Sequence, residues 1–339
     1  MTAAAHGDIG EAEVLRRLRG VAVAAARLMT PAEGVAIEMI NHSENTTYLI
    51  TGPDADARLI LRVHRTNYHS PRAIASELAW MKALREEAGV HTPKALPGPD
   101  GALVHHVATE AVPEGRHCVF FEFLEGDEPD EDNLLPSFPG LGEVTARMHR
   151  HIRRGWTPPN GFERFAWTFE TTLGDRPHWG YWRDGPNLAV AGRKALLGRL
   201  VGVVRDRLAA FGSGAERFGL VHADMRLANL LIHQGDTRVI DFDDSGFSWY
   251  LHDLATALSF IEDRPDVPDL IDAWLEGYRR VAPLSAEDEA EIPTFLMLRR
   301  MQILAWMGSH AETDLARALG DEYTDVTCDL AETYLARFA

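Results

Sequence analysis

Val221-His-Ala-Asp-Met-Arg-Leu-Ala-Asn-Leu-Leu-Ile232, followed by Val239-Ile-Asp-Phe-Asp-Asp244, is the stretch on which the fold turns. It alternates short apolar runs (Phe218-Gly-Leu-Val221, Leu230-Leu-Ile-His233, Thr237-Arg-Val-Ile240) with polar loops, as strands joined by turns do. The chain around it is mainly helical. Apolar residues recur at helical spacing over 138–153, 187–211, 252–261, 268–281 and 286–336. The 218–245 stretch therefore reads as one strand-and-loop insertion inside a helical region.

The N-terminal third reads differently. Residues 10–29 form an amphipathic helix pattern, and three β-branched runs follow at Val35–Ile40, Thr47–Ile50 and Arg58–Val63. A helical run over 72–88 ends at Gly89 with Pro93 close behind. Two more strand candidates, 101–108 and 117–124, surround the turn-rich Val112-Pro-Glu-Gly115. The acidic Leu124-Glu-Gly-Asp-Glu-Pro-Asp-Glu-Asp132 then marks a boundary, dividing the chain into 1–124 and 125–339. The expected fold class is α+β, with a small antiparallel-sheet lobe before a larger helical lobe.

Composition narrows the function. The 339 residues carry 34 basic and 51 acidic side chains, a formal charge of −17, which excludes a non-specific nucleic-acid binder. No segment reaches the roughly 18 apolar residues of a membrane span. The first 20 residues lack the basic start and apolar run of a secretory signal. The two cysteines, Cys118 and Cys328, have no metal-type spacing, and a reduced cytoplasmic protein is the simplest expectation.

The chemistry sits in the opening stretch. His222-x-Asp224-x4-Asn229 has the spacing of a kinase catalytic loop, and Asp241 follows a strand as the second metal-binding acid does. Phosphoryl transfer needs an Asp to orient and deprotonate the attacking hydroxyl, and oxygen ligands to hold Mg²⁺ against the ATP phosphates. Mg²⁺ takes only one or two protein oxygens, which Asn229 and Asp241 can supply. The three-residue pattern arises by chance in roughly 2% of such chains. Its strand context makes three idle polar residues in a solvated turn the poorer explanation.

These residues, with Tyr250-Leu-His-Asp-Leu-Ala255 after them, resemble the aminoglycoside phosphotransferase and choline kinase-like group, nearest its homoserine kinase type II and stress-response kinase A branch. The resemblance runs from about residue 35 to the last helices, though its specific residues lie in a few short stretches. It implies a two-lobed protein-kinase-like fold, ATP with Mg²⁺, and a small hydroxylated acceptor. Asp224 would then be the catalytic base, Asn229 and Asp241 the metal ligands, His222 a structural residue, and Asp253 a brace for the loop. Asp253 as a plain helix cap is equally compatible. Asp243 stands where many kinases carry glycine, and either a second metal or a solvated acidic turn fits it.

In the small lobe Arg62, in Leu59-Ile-Leu-Arg-Val63, stands where such kinases usually present lysine. A guanidinium can clamp phosphate oxygens and keeps its charge. Glu77 on the following helix would pair with Arg62. No Gly-x-Gly-x-x-Gly precedes it; Asn41-His-Ser-Glu-Asn-Thr-Thr47 stands there instead, and Ser43, Thr46 and Thr47 are the candidate phosphate-capping hydroxyls. Cys118–Gly126 resembles the interlobe connection, where the backbones of Glu122 and Leu124 would meet the adenine edge. A buried strand explains the same apolar run.

Three readings of activity follow. The first is an ATP- and Mg²⁺-dependent phosphotransferase acting on a hydroxyl of an amine-bearing small molecule. The second is a protein serine/threonine kinase of the stress-response type, and the third a nucleotide-binding pseudokinase scaffold. The acidic run 125–132 could attract an ammonium group, although a solvated loop explains it more simply. The Trp179-Gly-Tyr-Trp182 and Trp306-Met-Gly-Ser-His310 clusters could line a pocket, although core packing is the commoner use.

Overall fold

The computed structural model describes residues 10–30, 34–42, 45–53 and 58–339, which form two compact units. The first comprises residues up to 82, 93–124 and 159–163. It is built on an antiparallel sheet of β1 (Ala36–His42), β2 (Thr46–Thr51), β3 (Arg58–Val63), β4 (Ala95–Leu96), β5 (His105–Thr109) and β6 (Val112–Glu122). The strand order is β1-β2-β3-β6-β4, with β5 on the far half of β6. Helix α1 (Glu11–Met29) lays Leu18, Val21, Ala22, Ala25 and Ala26 on Tyr48 and Ile50 of β2, Leu61 and Val63 of β3, and Cys118 and Phe120 of β6. Small residues on that helix face let it lie close to the sheet, and burial of the large apolar partners stabilises the contact.

One expectation in this unit fails. Val112-Pro-Glu-Gly115, read as a turn, is the start of the long strand β6. The pairing passes from Val107↔Arg116 to Thr109↔Val112, so the extra residues on β6 are taken up by a bulge. Pro113 and Gly115 (φ 71°) sit in that bulge, where a missing N–H and a positive φ cost little. The helical run 72–88 begins as α2 (Pro71–Ala83) and ends in a π-turn at Leu84–Ala88, closed by Gly89 at φ 64°.

The second unit comprises residues 83–92, 125–158 and 164–339. Its helices are α3 (Phe138–Arg153), α4 (Phe169–Thr172), α5 (Arg193–Phe211), α6 (Leu251–Ala257), α7 (Val267–Arg279), α8 (Ala286–Ala290), α9 (Ile292–Ser309), α10 (Asp314–Leu319) and α11 (Glu322–Phe338). The single helical run read over 286–336 is therefore four helices. Pro293 can start a helix but not continue one, Thr313 caps the next, and Gly320 at φ 53° breaks the last pair.

Helices α3 and α7 cross backbone to backbone. A Cβ on Gly142 would lie 2.1 Å from the Trp274 carbonyl oxygen, and one on Gly277 would lie 1.9 Å from that of Pro139. Only glycine fits at either position. The same unit holds β8 (Phe218–Val221), the hairpin β9 (Leu230–His233) and β10 (Asp236–Val239), and β11 (Gly246–Trp249). Strand β11 pairs antiparallel with β8 and parallel with β7 (Phe165–Ala166). Among the described residues no helix is long and apolar enough to cross a membrane.

Candidate active site

The loop between β8 and β9 carries His222, Asp224, Arg226 and Asn229. Its shape is set from below by Asp253 in α6. The Asp253 carboxylate accepts the Ala223 N–H at 2.7 Å and the His222 N–H at 3.2 Å. It also accepts from His149 Nε2 of α3 at 2.9 Å, while the Tyr278 hydroxyl of α7 meets His149 Nδ1 at 3.1 Å. Asp253 and His149 are both fully buried. Burial would raise the Asp253 pKa, but His149 and the loop contacts outweigh it and hold the acid ionised. Burial pushes His149 the other way, below its ordinary value, so the ring is neutral and its single proton points at Asp253. Ala223 sits at φ 65°, a strained conformation for alanine that these bonds hold in place.

His222 is a strut. Its Nε2 donates to the Ile240 carbonyl at 3.0 Å, and its Nδ1 accepts the Asp224 N–H at 3.2 Å. The ring therefore ties the Asp224 loop to the end of β10, where Asp241 follows at φ 56°.

Asp224 is the most constrained acid in the loop. Asn229 Nδ2 donates to its carbonyl at 2.9 Å and to its Oδ2 at 2.8 Å. Arg226 Nε reaches Oδ2 at 3.0 Å and Oδ1 at 3.2 Å, and Arg299 Nη2 of α9 reaches Oδ1 at 2.6 Å. Burial alone would raise its pKa, but Arg226 and Arg299 outweigh it and keep the carboxyl below its ordinary range. The carboxylate is thus ionised, fixed in plane and able to accept a proton.

The metal candidates lie beside it. Asn229 uses its amide nitrogen on Asp224, so its oxygen is the atom that could serve a metal. The Arg226 pKa is raised by Asp224 first and by Asp241 and Asp244 as well, so three carboxylates act here against the two guanidiniums of Arg226 and Arg299. That excess of negative charge next to an amide oxygen suits a divalent cation. Among the described residues no group of three or more His, Cys, Asp or Glu is arranged to hold a metal ion. The 241–245 turn is pinned by Arg164, which donates to the carbonyls of Phe242, Asp243 and Ser245, and by Trp167 Nε1, which donates to that of Asp244 at 2.8 Å.

In the sheet unit, Arg62 Nη2 and Glu77 Oε1 meet at 2.6 Å, with both residues buried. Glu122 donates its N–H to the Lys94 carbonyl and pairs its carboxylate with Lys94 Nζ at 2.7 Å. A contact from Glu122 to an adenine edge would therefore use its carbonyl. Leu124 follows two residues later, as the last residue of that segment. Thr46 is buried, and its hydroxyl shares a 2.9 Å hydrogen bond with His42 Nδ1. Ser43 lies outside the described residues.

The tryptophan clusters divide. Trp182 is core. Trp167 and Trp179 are core as well, packed with Val221, Ala223 and Tyr250, and only Trp306 beside them is partly buried. The acidic run is partly tied down: Asp127 bridges to Ile232, and Asp130 caps the Asp132 N–H. Arg164, Arg226, His149, Tyr278 and Arg299 had no role in the sequence reading. The two adjacent arginines inside the apolar helix Ile292–Ser309 were the signal that could have found Arg299.

Residues 37–284 match the phosphotransferase enzyme family. A solved structure of a microcompartment-associated aminopropanol kinase is 42% identical, with a TM-score of 0.85, over 94% of this chain and 98% of that one. The amicoumacin kinase of Bacillus subtilis (strain 168) is 26% identical over 277 residues, 78% of this chain and 76% of its own. A solved amicoumacin kinase, hAmiN, shares the fold at a TM-score of 0.74 and 22% identity, over 94% of this chain and 96% of that one. It was determined in complex with AMP-PNP, Ca²⁺ and Ami. The relatives favour a small-molecule acceptor over a protein one, and a catalyst over a scaffold.

Proposed function

The chain belongs to the phosphotransferase enzyme family and is a kinase of small-molecule hydroxyls, and from that premise we propose that it transfers the γ-phosphoryl group of ATP to an amine-bearing alcohol, with Asp224 as the base. The observation that carries the assignment of Asp224 is its carboxylate, held ionised by two arginines and fixed by Asn229 in a loop braced from α6. Asn229 and Asp241 would hold Mg²⁺, which would neutralise charge on the transferring phosphate. Arg62, oriented by Glu77, would clamp the ATP phosphates, with Thr46 at the start of β2 and Ser43 as further contacts. The backbones of Glu122 and Leu124 would receive the adenine.

Asp224 would orient the acceptor hydroxyl and take its proton as the new O–P bond forms. Of Trp167, Trp179 and Trp306, only the partly buried Trp306 could offer an indole face to an ammonium-bearing acceptor, because Trp167 and Trp179 lie in the core. The 42% identity to an aminopropanol kinase supports the same acceptor class. We place the enzyme in the cytoplasm, on the strength of its composition and its two free cysteines.

Phosphotransfer to a panel of amino alcohols, hydroxy amino acids and aminoglycosides tests the reading. Asp224→Asn should fold, bind Mg·ATP and turn over at least about 100-fold more slowly. Asp241→Ala should lose metal-dependent ATP binding. Full turnover by Asp224→Asn, or unchanged Mg·ATP affinity in Asp241→Ala, would overturn these assignments; turnover confined to acceptors without an amine would overturn the substrate class.

A further inference from the structure

Helix α9 is apolar along its length except for a few polar side chains, and two of these are the adjacent, buried Arg299 and Arg300. Their surroundings differ. Arg300 is fully engaged in structure: Nη1 pairs with Glu262 at 2.7 Å, Nε donates to Thr327 Oγ1 at 3.0 Å, and Nη2 to the Tyr323 carbonyl at 3.2 Å. It ties α9 to α11. Arg299 turns to the catalytic loop instead. Its Nη2 reaches Asp224 Oδ1 at 2.6 Å, its Nε donates to Ser259 Oγ at 3.0 Å, and its guanidinium lies 5.3 Å from the centre of the Trp179 ring. Its Nη1 is buried with no hydrogen-bond partner.

A buried guanidinium with an idle N–H costs stability, and an apolar pair in place of both Arg299 and Asp224 would relieve that cost. Fold stability alone therefore does not account for arginine at 299. The contacts around Asp224 suggest what does. Arg299 holds Oδ1 and Asn229 holds Oδ2, each with a short bond from a buried group. Arg226 straddles both oxygens at longer range, and its side chain is 30% exposed. Two of the three donors are therefore fixed, and the third is the one an incoming hydroxyl can displace.

We propose that Arg299 is a positioning residue: with Asn229 it fixes the plane of the Asp224 carboxylate, so that the lone pair now taken by Arg226 faces the acceptor hydroxyl. This rests on Asp224 being the base. In the step it serves, the hydroxyl proton passes to Asp224, the acceptor oxygen bonds to the γ-phosphorus, and the bond from that phosphorus to the ADP oxygen breaks.

The test compares wild type with Arg299→Met, Arg299→Lys and Ser259→Ala. Each is measured for kcat, KM for ATP, ATP affinity without acceptor, and melting midpoint. Misplacing a reacting group by about 1 Å costs on the order of 100-fold in rate, so Arg299→Met should lose about that factor in kcat. Its ATP affinity should stay within about twofold, because the fixed donor acts on chemistry rather than nucleotide binding, while its midpoint should fall, because Asp224 loses a buried ion-pair partner. Arg299→Lys should recover part of kcat, and Ser259→Ala should lose a smaller factor than Arg299→Met. A folded Arg299→Met with kcat within about twofold of wild type overturns the proposal. So does a parallel fall of kcat and ATP affinity. Should Arg299→Met fail to fold, unchanged kcat in both Arg299→Lys and Ser259→Ala overturns it. Should wild type phosphorylate no amine-bearing alcohol, the acceptor reading has failed, and the variants are compared on ATP hydrolysis, where Asp224 orients water.

Discussion

Asp253→Asn isolates the brace beneath the catalytic loop. Asparagine has the shape of aspartate and keeps Oδ1 for the Ala223 N–H, a 2.7 Å bond in the parent. Its new NH₂ group, however, faces two donors, the His222 N–H at 3.2 Å and His149 Nε2 at 2.9 Å. His149 can adapt by moving its proton to Nδ1, because the Tyr278 hydroxyl can accept as well as donate. The His222 amide cannot adapt. The substitution therefore removes one charge-assisted bond and leaves a buried donor against a donor, which costs about 2–4 kcal/mol. At about 2–4 °C per kcal/mol, the midpoint should fall by roughly 5–15 °C.

The catalytic consequence follows from Ala223. Its left-handed backbone, φ 65°, persists because Asp253 holds the N–H of Ala223 itself and that of the preceding His222. With that hold weakened, Asp224 shifts, and turnover should drop on the order of 100-fold. His149→Phe removes the other end of the same chain, so the double variant should be less damaging than the two losses added, with a coupling of about 0.5–3 kcal/mol. Thermal melts and turnover of the three variants decide it. An Asp253→Asn protein that melts within a degree of wild type and keeps its turnover would refute the brace.

Further outcomes are expected elsewhere. Arg62→Ala should both weaken ATP binding and destabilise the sheet unit by about 3–5 kcal/mol, since it breaks a buried ion pair of Glu77. The double variant Arg62→Met/Glu77→Gln restores stability but should still lose about 10- to 150-fold in ATP affinity by calorimetry, and unchanged affinity would make Arg62 purely structural. Gly277→Ala drives a Cβ into the Pro139 carbonyl, and denaturant titration should show a loss of about 1–3 kcal/mol or more; a neutral result would mean that α3 and α7 can separate. Burial pushes His252 down to about 4 from its ordinary 6.5, so between those values the unfolded chain binds the extra proton. Stability should therefore fall as pH drops from 6.5 to 4, by about 3 kcal/mol from His252 with His149 adding to it. Melts of His252→Gln should show a flatter slope across that window, and an unchanged slope would remove His252 as the cause.

The parts of the fold legible in sequence were those fixed by local pattern. Alternating β-branched runs marked β1 to β3, and helical spacing marked α1 and α3, because each buries one face against one partner. The misreadings came where a breaker residue had a tertiary excuse. Pro113 and Gly115 signal a turn locally, but a bulge opposite β5 accommodates them inside a strand. Residues 286–336 keep helical spacing through three breaks, since successive helices on one core share its periodicity.

The candidate site divides in the same way. Asp224 and Asn229 were legible because five residues of chain set their spacing, and the structure joins them directly. The groups that brace them come from far along the chain: His149 lies 104 residues from Asp253, Tyr278 lies 129 from His149, and Arg299 lies 75 from Asp224. Periodicity says only that their helices face a core. Nothing in it says that a polar group on that face meets a loop.

The strained backbone of the site explains why that bracing is so extensive. Two non-glycine residues at the chemical centre, Ala223 and Asp241, adopt left-handed φ values of 65° and 56°. Each costs roughly 1–2 kcal/mol relative to an ordinary conformation. Each is also flanked by a clamp reaching in from a different element: the buried Asp253 with His149 holds the first, and His222 with the half-buried Arg164 holds the second from both sides. Glycine at these positions would relax the strain, but it would also widen the range of positions open to the base and the metal acid. Fixed geometry at those two carboxylates is what the proposed phosphoryl transfer needs, because positioning supplies most of its rate. The site therefore tolerates local strain where displacement of a reacting group would be most harmful, and the fully buried hydrogen bonds of α3, α6 and α7 offset it.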